Sequence, residues 1–236
     1  MSTSAPALSH SLDLLHDTYN YNHWIFSLIR PYLGTRVVEI GSGPGNLTQF
    51  MLNVDELVCV EPEAEYSNRL SAMAVSHRNM TVKACCLDDV LGQSENYKGR
   101  FDSVVCLNVL EHIEDHTAAM MTMQSLLRVG GRIILFVPAV QFAYGSMDNA
   151  LNHFRRYSKR DVKALCGNIG GRLVKCRYVN LLGLIGWWWC GRVRKDALIV
   201  PEKARVMDRL VPFVSALERI VPIPIGQSIL AVIQMQ

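Results

Sequence analysis

Apolar and polar positions change period repeatedly along residues 36–137. Short runs rich in β-branched and apolar residues, Arg36 to Ile40, Glu56 to Glu61, Thr81 to Cys86, Asp102 to Leu107 and Gly131 to Val137, have the length and make-up of buried strands. Between them, Leu47 to Asn53, Ala64 to Val75 and His116 to Leu127 carry the spacing of amphipathic helices. Strands that alternate with helices build a parallel sheet covered on both faces. After Pro138 the pattern changes. A polar loop, a helix from about Ser158 to Gly167 and a strand from Arg172 to Val179 lead into an apolar, aromatic segment. Helical spacing at Val206, Leu210, Phe213, Val214 and Leu217 predicts a cap helix, and a last strand runs from Ser228 to Met235.

The expected architecture is therefore one α/β domain with a Rossmann-like, doubly wound sheet of seven strands, mostly parallel with an antiparallel last strand. Residues 1–34 would form an N-terminal helical lid, 35–180 the core, 181–226 a helical and aromatic cap insertion, and 227–236 the final strand.

The first candidate chemistry lies where the first strand meets a glycine turn, in Val37-Val38-Glu39-Ile40-Gly41-Ser42-Gly43-Pro44-Gly45-Asn46. Glycines permit positive φ and close approach of a ligand to the backbone, and a following helix N-terminus offers unpaired N–H groups. A dinucleotide fingerprint would put its third glycine at Asn46; here the spacing is Gly-x-Gly-x-Gly, with Glu39 two positions ahead. That arrangement resembles motif I of the class I S-adenosylmethionine-dependent methyltransferases.

The resemblance extends over about half the chain, and it implies a cofactor site. Glu39, Gly41, Ser42, Gly43, Gly45 and Asn46 would cradle S-adenosylmethionine and its product S-adenosylhomocysteine. Glu61, followed by Pro62, would accept hydrogen bonds from the ribose, and Asp88 or Asp89 would lie beside the adenine amine. The segment Asn108-Val109-Leu110-Glu111-His112 would face the methionine part, and Leu127 to Arg132 matches the turn into the fifth strand. On the N-terminal helix, Tyr21 or Trp24 would close over the cofactor or simply pack on the domain. Taken singly, the acids could be solvated strand ends or helix caps. Glu61 also suits a nicotinamide dehydrogenase, and a non-catalytic S-adenosylmethionine-binding or regulatory subunit is the binding-module alternative.

In an open α/β sheet the second substrate binds beyond the carboxyl ends of the strands. There the chain carries Phe142, Tyr144 and His153-Phe154-Arg155-Arg156-Tyr157, a near-neutral base, two planar cations and an aromatic wall. His153 is the first candidate for removing an acceptor proton and His112 the second, with Tyr157 as a hydrogen-bonding partner. The plain alternatives are a loop-fixing bond for His153, loop packing for His112 and an ion pair for Arg155 or Arg156. The stretch also resembles a bacterial small-molecule subgroup of these methyltransferases. It implies transfer to a nitrogen or oxygen of a small acceptor: an anionic, sugar- or lipid-linked molecule, or a natural-product intermediate.

Composition adds limits. The net charge is only +3, but residues 151–210 hold 14 Lys and Arg against 4 Asp and Glu, which suits an anionic substrate or surface. Seven cysteines without a Cys-x-x-Cys pair read as reduced core thiols, and no secretory leader is evident, so a cytoplasmic protein is expected. No metal-ligand spacing and no nucleic-acid motif is present. Trp187, Trp188 and Trp189, next to Arg192, Arg194 and Lys195, read as a buried lid, a dimer contact or a peripheral membrane anchor.

Overall fold

The computed structural model describes residues 18–93, 97–196 and 200–236, together with Asp13. Most of the expected lid before residue 18 lies outside the described residues. In chain order the elements are α1 (Tyr19–Ile29), β1 (Arg36–Ile40), β2 (Glu56–Val60), α2 (Ala64–Ala74), β3 (Met80–Lys83), α3 (Val90–Gln93), β4 (Phe101–Leu107), α4 (His116–Leu126), β5 (Leu127–Pro138), α5 (Ser146–Ala150), α6 (Lys159–Asn168), β6 (Arg172–Val179), α7 (Leu181–Trp188), α8 (Pro201–Ile220) and β7 (Ser228–Gln234). A π-helical turn, Trp189–Arg194, prolongs α7.

The strands form a seven-stranded sheet in the order β3-β2-β1-β4-β5-β7-β6, with β7 antiparallel to both neighbours. Period-two alternation divides each central strand between two cores. On one face Val38, Ile40, Val104, Cys106, Ile133 and Leu135 pack against α4 and α6. On the other, Val37, Leu57, Val105, Ile134 and Phe136 pack against Trp24, Ile25 and Ile29 of α1 and Val211 of α8. The helix ends follow ordinary capping chemistry. Asp115 accepts from the Thr117 and Ala118 N–H groups, and Ser158 and Asp161 form a reciprocal capping box.

Two expected elements differ. Leu47 to Asn53 is a string of turns with a 3-10 helix at Thr48–Phe50, because the glycine loop leaves too few residues before β2 for a packed α-helix. The third strand ends at Lys83, so Cys85 and Cys86 lie in the turn that follows; Cys86 is exposed.

The cap helix forms, but its rotation is not the one its apolar spacing suggests. Val206, Leu210, Phe213 and Leu217 point outward, at 40–76% exposure, while Val211 and Glu218 face the domain. Two carboxylates set this rotation. Asp208 accepts the Asn20 and Tyr21 N–H groups at the start of α1, and buried Glu218 accepts the Asn180 and Leu181 N–H groups at the start of α7. Both exploit the positive ends of helices, and both are lost if α8 turns about its axis.

Candidate active site

β1 and β4 are neighbours, and the chain departs from them in opposite directions across the sheet, so the crevice beyond their carboxyl ends is the topological switch point. Gly41 leaves β1 at φ +68°, and a Cβ there would collide with the Val109 side chain just past β4. Gly45, at φ +92°, brings the backbone against Leu70 and Met73 of α2, where a Cβ would come within 3.3 Å of each. The glycine loop is thus wedged between the β4 exit and α2, and a side chain at Gly41 would fill the crevice floor.

Acids hold the loop from both sides. Glu61, beyond the end of β2, accepts the Gly43 N–H at 2.7 Å and the Glu63 N–H at 2.9 Å. Its burial raises the carboxyl pKa and those two bonds oppose the rise. Each oxygen keeps a second lone pair, the kind of acceptor that a ribose diol requires. Glu39 lies under the loop, where burial lifts its pKa to about 7, and it accepts the Thr48 hydroxyl at 2.5 Å. It fastens the turn to β1. Ser42 and Asn46 are buried with it, whereas Pro62, Asp88 and Asp89 are exposed on the loops after β2 and β3.

The other wall is made of side chains. β4 exits through Asn108 at φ +54° into a 3-10 turn, Leu110–His112, and β5 exits through Val140 at φ +59°. A β-branched residue in the left-handed region is strained, and such strain gathers at functional sites. Beyond it, fully buried Asp148 organises the wall. One oxygen accepts from His153 Nδ1 at 2.9 Å and Arg156 Nε at 2.8 Å; the other accepts from the Gly145 N–H and from Trp187 Nε1, each at 3.0 Å. With Nδ1 so engaged, Nε2 is the remaining lone-pair nitrogen of His153.

Next to it sit Glu111 and His112. Glu111 is 1% exposed, and its Oε2 has no hydrogen-bond partner among the described residues. Burial pushes its pKa up to about 7, against the pull of His153 and Arg156. The His112 ring meets the His153 ring edge-on at 4.7 Å; burial, then His153, bring its pKa down to about 4. One ligand atom from each of Glu111, His112 and His153 lies within 4.8 Å of the other two.

Comparison with known proteins bears on the family and the fold. A family model described as a methyltransferase domain matches residues 18–176, from α1 into β6. The chain belongs to the class I S-adenosylmethionine-dependent methyltransferases. Among curated relatives, the ubiquinone biosynthesis O-methyltransferase of Xanthomonas axonopodis pv. citri is 31% identical over 109 residues, 43% of this chain and 42% of that enzyme. The match thus spans under half the length of that relative. Among solved structures, a SAM-dependent methyltransferase from Archaeoglobus fulgidus aligns with TM-score 0.58 at 16% identity, covering 90% of this chain and 94% of that one. The Burkholderia thailandensis 1,6-didemethyltoxoflavin-N1-methyltransferase, solved with S-adenosylhomocysteine, aligns with TM-score 0.59 at 13% identity, covering 94% and 79%. At such identities these structures speak for the fold. S-adenosylmethionine is the cofactor of the methyltransferase.

Several side chains expected at its acceptor site are instead used in holding the wall together. Tyr157 is in the core, its hydroxyl donating to the Leu110 carbonyl at 3.1 Å, so it is not a partner for the acceptor. Arg156 is buried on Asp148 and lies over the Trp187 ring at 5.0 Å, which removes it as a free anion clamp. Arg155 donates to the Ile113 and Glu114 carbonyls, and Tyr144 to the His153 carbonyl. Burial pushes the Tyr21 hydroxyl up to about 12, and Trp24 is packed in the core beneath it. Trp187 turns inward to Asp148, whereas Trp188 and Trp189 are exposed. Among the described residues, no helix of the methyltransferase is long and apolar enough to cross a membrane. Asp148 carries no mark in the sequence beyond standing five positions before His153.

Proposed function

We propose that the enzyme methylates an oxygen or nitrogen of a small, anionic acceptor, of the sugar- or lipid-linked kind, seated against Glu111, His112 and His153. One observation carries this reading. Asp148 holds Nδ1 of His153, and a ligand atom of His153 lies within 4.8 Å of one from His112 and one from Glu111, whose buried Oε2 has no hydrogen-bond partner among the described residues. With Glu111 ionised these groups offer lone pairs, so whatever occupies the point between them must bring a proton or a positive charge. An acceptor O–H or N–H meets that requirement.

The bound cofactor supplies an electrophilic methyl group on a sulfonium, with a thioether as leaving group. The chain's own residues do the rest. Glu61 and the loop from Gly41 to Gly45 hold the cofactor, and Gly41 against Val109 brings that loop onto the acceptor-side turn. Glu111, His112 and His153 orient the acceptor atom, and the buried wall around Asp148 excludes water, which together provide much of the rate in a displacement of this type. The basic segment 151–210 supplies the field for an anionic acceptor.

Isothermal titration with S-adenosylmethionine and S-adenosylhomocysteine, followed by release of the latter in the presence of phenolic, sugar and lipid-linked acceptors, tests the proposal. His153→Ala is expected to leave cofactor affinity near that of the parent and to lower turnover at least tenfold. Equal turnover in the variant removes His153 from the acceptor site.

A further inference from the structure

Beyond the hydrogen-bonding role, and resting on the placement of the acceptor at the same cluster, we infer that Glu111, His112 and His153 form a site for a divalent first-row transition-metal ion. Two imidazoles and a carboxylate are a ligand set that such ions favour, and three ligands leave positions open for an exogenous oxygen. The three come from two loops, Leu110–His112 after β4 and the segment after α5, which only the fold brings together. That is why the spacing along the chain shows no metal motif.

Three independent features fit an ion. The first is the buried Oε2 of Glu111, an acceptor without a partner among the described residues. A stranded buried carboxylate oxygen costs stability unless something positive meets it. The second is Asp148. A histidine that ligates a metal through one nitrogen commonly donates its other N–H to a carboxylate, and His153 Nδ1 stands 2.9 Å from Asp148 Oδ1. The third is charge. With Glu111 ionised, as a ligand must be, Glu111 and Asp148 carry two negative charges against the single positive charge of Arg156, so a dication leaves the cluster with one net positive charge facing an anionic acceptor.

Donor atoms around a tetrahedral ion at ~2.1 Å lie roughly 3.4 Å apart, so atoms within 4.8 Å of one another must draw in by up to about 1.4 Å. Both loops are short and end in turns, and binding should tighten them. With the ion in place the acceptor is one that offers an oxygen to a metal, such as a phenol, a vicinal diol or a carboxylate. The ion would lower the pKa of a coordinated hydroxyl, so that its proton would leave to bulk solvent as the acceptor binds; the oxygen would then bond to the methyl carbon as the methyl–sulfur bond breaks and S-adenosylhomocysteine leaves.

Cobalt(II) chloride is the probe. The full chain, freed of metal by a chelator, is titrated without cofactor or acceptor. One equivalent should bind, with the visible ligand-field absorption of a histidine and carboxylate site and a higher melting temperature. His112→Ala and His153→Ala should each weaken binding at least 100-fold, and Asp148→Asn by 10- to 100-fold through the second N–H of His153. Circular dichroism and S-adenosylmethionine titration on each variant show that the fold and the cofactor half are intact. No saturable binding in the parent, binding unchanged in both histidine variants, or an absorption of thiolate origin would each overturn the site. Loss of S-adenosylmethionine binding by the parent would instead overturn the reading of the crevice on which it rests.

Discussion

The two walls of the crevice are built in different ways. The cofactor wall is mostly backbone: a loop of five residues whose φ angles and close packing are fixed by Gly41 and Gly45, with Glu39 and Glu61 bonded to it from neighbouring strands. The acceptor wall is mostly side chains, contributed by the β4 exit, the β5 exit, α5 and α7, and joined through one carboxylate, Asp148. Backbone is indifferent to most substitutions and side chains are not. The first wall therefore suits a ligand that is always the same, and the second can be respecified by changing a few residues while the sheet stays as it is.

The largest effect should come from Asp148. Asp148→Ala leaves the Arg156 guanidinium buried without its carboxylate and frees His153 and Trp187, and breaking a buried ion pair from one side costs about 3–5 kcal/mol. Denaturant unfolding should show a loss of that size. In the double variant Asp148→Leu with Arg156→Met, no charge is left behind, and most of the loss should be recovered. If the single variant unfolds within 1 kcal/mol of the parent, roughly the spread of an ordinary surface change, Asp148 does not organise the wall.

Gly41→Val probes the other wall and should reverse the pattern. The new side chain meets Val109 and must adopt a positive φ, so the loop is displaced from the crevice floor. S-adenosylmethionine affinity should fall by at least 100-fold, about 2.7 kcal/mol, while the ion pair and hydrogen bonds of Asp148, on the far side of the acceptor wall, remain. A variant that binds the cofactor normally in calorimetry would show that the loop does not carry it.

The same contrast explains what could be read from the chain. Alternation of strand and helix, the Gly41-x-Gly43-x-Gly45 spacing and the acid at Glu61 are local patterns, so the sheet and the glycine loop with its neighbouring acid were legible in the sequence. The failures are all tertiary. Tyr157 and Arg156 have the right chemistry for a substrate site, but nothing in their neighbours along the chain reveals that Leu110 and Asp148 already engage them. Asp148 sits in a five-residue helix too short to show a period, and the outward turn of Phe213 follows from two carboxylates bonding to helices distant in sequence. Glu111 and His112 stood in plain view; their convergence with His153 did not, because it spans more than 40 positions, 41 from His112 and 42 from Glu111.

The smallest expected effect lies away from both walls and serves as their control. Asp102 opens β4 at the amino end of the sheet, where it accepts the Thr35 and Arg36 N–H groups and the Arg128 guanidinium. Burial alone would raise its pKa; the Arg128 and backbone bonds outweigh that and bring it down from 3.8 to about 2. A carboxylate with a lowered folded pKa stabilises the protein fully above the unfolded value and loses that contribution as pH falls through the folded one. The window is therefore pH 3.8 down to about 2, and Asp102→Asn should flatten acid unfolding there. Arg128 is half exposed, so solvent screens the pair and the loss at neutral pH should be no more than about 1 kcal/mol. Because Asp102 touches neither wall, S-adenosylmethionine affinity and cobalt binding should both match the parent. A change in either would mean that the two ends of β4 are coupled, and that the walls are less independent than their construction implies.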